Sequence, residues 1–141
     1  MKTYWNKPQK KRKKRSFDTS KSLVSEKLDL LWSSAIKIRD KQKCQVCGSM
    51  QSLNSHHIIT RKNKSVRFDL DNGITLCAKH HKLDSRQSAH GNPLWFTNWL
   101  EAYKKGLGDR LIEKSQKPFV LTIDDLKAMH RELTEFIELS K

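Results

Sequence analysis

Four soft donors fall on two short hooks, Cys44-x-x-Cys47 and Cys77-x-x-His80, roughly thirty residues apart. No other feature constrains the fold as much. Zinc takes four tetrahedral sulfur and nitrogen ligands, so a shared ion obliges the chain between the hooks to leave and return to one point. A closed set of Cys44, Cys47, Cys77 and His80 offers no open coordination position, and its role is structural. These are all three cysteines of the chain. They cannot all pair as disulfides, which favours metal ligation and a reducing, cytoplasmic setting.

Five of the six histidines lie in the same stretch, between His56 and His90. That concentration points to a second metal site. His56 and His57 follow one another in a short apolar patch with Ile58 and Ile59, and Asp71-Asn72-Gly73 precedes Ile74-Thr75-Leu76. Both patches read as short strands joined by turns. Neighbouring strand residues project to opposite sides, so His56 and His57 suit different tasks.

Around this segment the pattern is helical. Leu23, Leu28, Leu30, Leu31, Trp32, Ala35 and Ile36, mostly spaced by three or four, predict a helix over about 21–40. Asn92-Pro93 caps a second helix, over 93–105, with Leu94, Trp95, Trp99, Leu100 and Tyr103 on its apolar face. Thr122-x-x-Asp125 opens a last helix, over about 123–139, with Leu126, Met129, Leu133, Phe136 and Ile137 as its stripe. The aromatics of both later helices are assigned to the core, and His130 to a structural place beside the stripe.

The 141 residues carry a formal charge of +14, which directs the search for partners to polyanions. Eight of the first fifteen residues are Lys or Arg, and Lys10, Lys11, Arg12, Lys13, Lys14 and Arg15 are consecutive. Residues 1–17 therefore read as a basic, flexible arm that contacts phosphate, and 18–141 as a single domain with a motif core at about 40–90 and a helical C-terminal part at 93–139. Arg61, Lys62, Lys64 and Arg67, in the loop after the histidine pair, are further phosphate-contact candidates. No apolar stretch approaches the roughly 20 residues that span a bilayer, and no secretory signal is expected.

The order of these residues resembles the HNH endonuclease family: paired cysteines, a His-His-Ile strand, an asparagine five residues before the third cysteine, and a histidine just after the last zinc ligand. The likeness covers about residues 40–90. It implies an α+β protein built on a small ββα-metal core, two strands and a helix around one divalent ion. It further implies that the chain is a phosphodiester hydrolase acting on DNA, and suggests by analogy a phage or mobile element in a bacterial host. Carried over by position, His56 and His81 bind the catalytic ion, Mg²⁺ or another divalent metal. His57 is the general base, and Asn72 orders the loop and orients His57 through backbone contacts.

Two departures matter. The last zinc ligand is His80 where a cysteine is common, so its adjacency to His81 leaves open which serves which metal. One helical turn beyond His81 stands Ser85, whose hydroxyl is a poor ligand. His90, Asp84 or water is then left to complete the catalytic site. The alternative function is a catalytically silent zinc module that binds nucleic acid, which leaves His56, His57 and Asn72 without roles. A regulatory protein that attracts an acidic partner explains still less. Cleavage of both strands requires either a dimer or two successive nicks by a monomer.

Overall fold

The computed structural model describes residues 19–141, so the Lys10–Arg15 run lies outside the described residues. Helix α1, Thr19–Arg39, buries Leu28, Trp32, Ala35 and Ile36 against Leu126 and Leu133 of α4, Ile123–Leu139, with Phe68 closing the cluster. Most of the stripe read from the sequence is thus the surface that joins the first helix to the last, while Leu23 and Leu30 are exposed. After α1, Lys41 and Gln42 take the left-handed conformation and turn the chain away. Asp40, nearly buried there, accepts from Arg39 Nε (2.8 Å) and from the Thr75 amide (2.7 Å), which ties the helix end to the sheet.

The sheet is one antiparallel pair, β1 (Leu53–His57) on β2 (Gly73–Cys77), in a register that sets Ser55 opposite Thr75, His56 opposite Ile74 and His57 opposite Gly73. Its two faces meet different partners. On one face Ser55 bonds Ser33 of α1 at 2.9 Å, His57 meets Trp32, and Gly73 lies so close to Ile36 and Trp32 that a Cβ has no room. On the other, Ile74 and Leu76 pack with Ala89 and Phe96, and His56 meets the Phe96 ring edge-on. The alternation of the strand therefore separates the two histidines as its period requires.

After β2 the helix of the ββα unit is short, a single wide turn at Lys79–Leu83. The chain then doubles back: the amides of Ala89 and His90 donate to the carbonyls of His80 (2.8 Å) and His81 (3.1 Å). Asn92 caps α2, Pro93–Tyr103, by accepting from the Trp95 amide at 3.1 Å. The capping box of α4 is complete, Thr122 Oγ1 accepting from the Asp125 amide and the Asp125 carboxylate from the Thr122 amide.

A helix over Leu107–Gln116, α3, is present where the periodicity gave none. Only Leu107 and Leu111 of it are buried, against Leu100, so its signal is two leucines one turn apart, with Gly106 before the first and Gly108 between them. Tertiary packing rather than a stripe defines it. His130 is exposed, not packed beside the α4 stripe. Among the described residues no helix is long and apolar enough to cross a membrane.

Candidate active site and metal centres

The two hooks converge. Cys44, Cys47, Cys77 and His80 bring their donor atoms within 4.8 Å of one another. Cys47 and Cys77 sulfurs are 3.9 Å apart, and His80 Nδ1 lies 3.7 Å from the Cys44 sulfur and 3.3 Å from that of Cys77. Zinc–sulfur bonds of about 2.3 Å in a tetrahedron give edges of about 3.8 Å, so the spacing fits one zinc ion.

The first hook is a tight turn closed by the Gly48 amide on the Cys44 carbonyl (2.7 Å), with Gly48 left-handed, and it is fastened to β2 by the Gln45 amide on the Thr75 carbonyl (3.0 Å). Burial works to push the Cys44 thiol up. Backbone amides of Cys77, Cys47 and Val46 outweigh it and hold the thiol below its usual range. Burial also keeps the His80 imidazole neutral, the form that donates an electron pair to a metal.

A second cluster joins His56 from β1, His81 from the wide turn and His90 from the returning loop, again with donor atoms within 4.8 Å. Their ring centroids are separated by 5.3 Å (His56–His81), 5.0 Å (His56–His90) and 4.8 Å (His81–His90). Burial, followed by the neighbouring His81, His90 and His57, pushes the buried His56 down to about 3. It is an uncharged imidazole at neutral pH. Asp84 is directed elsewhere, its carboxylate accepting from the amides of Arg86 (2.8 Å) and Gln87 (3.0 Å). Ser85 is exposed and stands outside this cluster.

His56, His81 and His90 line a cleft of about 670 Å³ that His57 and Arg61 also line. The His57 ring lies flat on Trp32, with centroids 3.8 Å apart and planes 9° from parallel. Its Nε2 is 2.9 Å from the Arg67 carbonyl. A carbonyl only accepts, so Nε2 carries the proton and Nδ1 keeps the free electron pair. Burial lowers the pKa of His57, partly offset by that hydrogen bond.

Asn72 is fully buried behind the strands. Its Oδ1 accepts from the Ile59 amide (2.7 Å), and its Nδ2 donates to the carbonyls of Ile59 (2.9 Å) and Val66 (3.0 Å). It closes the loop between the strands and stays out of the cleft. Replacing Asn72 by Ala strands an amide and two carbonyls. At about 1–3 kcal/mol for each buried unpaired group, we expect the variant to lose roughly 3 kcal/mol or more in a urea titration while retaining its zinc.

Among the basic candidates, Arg61, Lys62 and Lys64 are exposed on this loop. Arg67 instead forks onto Asp29 of α1, Nε at 3.1 Å and Nη2 at 2.5 Å. The sequence offered no signal for that pairing across 38 positions. Nor did it show that Trp32, read as a core residue, forms the floor under His57.

A two-stranded sheet bearing a Cys₃His cluster whose spacing fits zinc thus stands beside a cleft lined by four further histidines. Residues 44–87, less than half of the chain, match the family model of the HNH endonuclease, and this segment is an HNH domain. No curated protein and no solved structure gives a significant match to the chain.

Proposed function

We propose that this protein is a metal-dependent HNH endonuclease that hydrolyses DNA phosphodiester bonds in a cytoplasm. The observation that carries the reading is the cleft itself, where three clustered imidazoles and a fourth histidine with a free Nδ1 face one space. A silent zinc module has no use for the second cluster. His56, His81 and His90 would hold the catalytic ion. When bound, the ion neutralises charge on the scissile phosphate and on the leaving oxygen. All three donors are imidazole nitrogens, a set that suits Ni²⁺ or Zn²⁺ better than Mg²⁺.

His57 Nδ1 takes the proton from the attacking water as the new phosphorus–oxygen bond forms and the old one breaks. The Arg67 carbonyl fixes the tautomer that makes Nδ1 available. Asn72 holds the loop whose carbonyls set that position. Arg61, Lys62 and Lys64 contact backbone phosphates beside the cleft, and the arm residues Lys10, Lys11, Arg12, Lys13, Lys14 and Arg15 add affinity without sequence preference.

Supercoiled plasmid incubated with the zinc-loaded protein and Mg²⁺, Mn²⁺ or Ni²⁺ should pass to nicked and linear forms, and a chelator should stop the reaction. No conversion with any of these ions leaves the silent module as the better reading. Each phosphate neutralised on duplex DNA steepens the dependence of log affinity on log salt by about 0.9. Deleting residues 2–16 should therefore flatten that slope by several units in a titration of binding against salt, with cleavage chemistry intact at low salt. An unchanged slope removes the arm from the DNA interface.

A further inference from the structure

Helix α1 lies wholly outside the segment that matches the HNH family, yet one face of it carries the surroundings of His57. Trp32 supplies the flat floor under the imidazole, and its Nε1–H donates to the Asp69 carbonyl at 3.0 Å. Asp29, nearly one turn earlier, holds the Arg67 guanidinium in a two-pronged fork. The carbonyl of that same Arg67 accepts from His57 Nε2. Ser33, next to Trp32, accepts through its carbonyl from the Ser55 hydroxyl, two residues before His57 on β1.

We infer that Trp32 and Asp29 are positioning residues for His57, holding the plane and the azimuth of its ring from a helix the nuclease motif does not include. This rests on the reading of His57 as the base. A ring lying on a flat partner can still slide and rotate in its own plane. The hydrogen bond to Arg67 removes that freedom, but only while the Arg67 backbone is itself fixed. Asp29 fixes it through the side chain of the same residue. Both restraints converge on one rigid helix, so Nδ1 keeps its direction as the flanking loop moves. Reacting groups misplaced by about 1 Å lose on the order of 10² in rate, so the restraint is of catalytic size.

The test is single-turnover cleavage of a short duplex at saturating metal by the parent, Trp32→Phe, Trp32→Leu, Asp29→Ala and His57→Ala, with circular dichroism and zinc content reporting the fold. We expect Trp32→Phe, which keeps a flat ring, to stay within about threefold of the parent. Trp32→Leu should fall by about tenfold or more and Asp29→Ala by about threefold to tenfold, with duplex affinity retained in each. The nitrogen-15 shifts of His57 should report the Nε2–H tautomer in the parent and a tautomer mixture in Asp29→Ala. A wholly structural Trp32 would lower the melting temperature and leave the rate per folded molecule unchanged.

Should Trp32→Leu fail to fold, Asp29→Ala decides, because it removes only a partly exposed fork. Parental rates in the folded variants, beside a slow His57→Ala, overturn the inference and leave His57 as the base. A parent that never cuts overturns the nuclease reading, and the positioning roles fall with it.

Discussion

Replacing His57 by Ala is expected to leave a zinc-loaded protein that binds duplex DNA as tightly as the parent and cleaves it about 10² to 10⁴ times more slowly. The size follows from what a positioned base contributes, since His56, His81, His90 and the exposed Arg61, Lys62 and Lys64 remain. Some stability is lost as well. The variant leaves the Arg67 carbonyl without its partner and the Trp32 ring without its cover, a cost of about 1–3 kcal/mol, so rates belong well below the melting temperature. His56→Ala should also cut slowly, but for a different reason: one of the three clustered imidazoles that would hold an ion is gone. More metal should partly restore His56→Ala and leave His57→Ala unaffected. A His57→Ala protein that cuts at the parental rate refutes the assignment.

The pH profile carries the same argument. Burial lowers the His57 pKa from its ordinary 6.5, so its base form is already dominant at neutral pH. The cleavage rate should be flat above about pH 7 and fall on acidification as the imidazole is protonated. Stability moves in the same direction. A histidine whose folded pKa is depressed contributes stability that is fully present above about pH 6.5 and is lost as pH falls through the folded value, because the unfolded chain binds the proton more readily. His56, pushed to about 3, extends that loss down to the same region.

What the sequence disclosed and what it withheld divide along physical lines. That the donors gather into two clusters was legible because ligand chemistry is local: two hooks and a histidine pair have a spacing that packing alone does not demand. The helices α1, α2 and α4 were legible from stripes and caps, down to Asn92 and Thr122. The α3 helix was not, since its buried side is only Leu107 and Leu111, which pack on Leu100. The floor under His57 was not either. That Trp32 meets His57 rather than only the core depends on where an unrelated helix crosses a two-stranded sheet, and no spacing encodes the crossing. His90 was a candidate ligand whose position depends on the chain doubling back from the wide turn, a return set by two backbone hydrogen bonds that any residue type makes.

Removal of the structural zinc is expected to abolish the cooperative fold. Binding free energy at such a site in small zinc domains is about 10–16 kcal/mol, whereas whole domains are stable by only about 5–15 kcal/mol, so the ion outweighs what the remaining packing supplies. The arrangement here fits that comparison. Around the cluster the buried apolar partners are few, Ile74, Leu76, Ala89 and Phe96, and the thiols of Cys44 and Cys77 are buried among them. Without an ion those sulfurs and the His80 imidazole are buried polar groups in place of a bonded centre.

Elemental analysis should accordingly find about one tightly held zinc per chain in protein purified without added metal. Cys44→Ser should lose that zinc and the sharp unfolding transition together. His80→Cys, which restores four sulfurs at nearly the same spacing, should keep both. His81→Ala should keep the zinc and lose cleavage, because His81 faces the other histidines and not the hooks. That pair of variants separates the two adjacent histidines. Acid should release the ion, since protons compete for the same sulfur and nitrogen donors, and the unfolding midpoint should fall with pH in step with zinc loss. A folded, active preparation containing no zinc would sink the structural assignment, whatever the fate of the catalytic one.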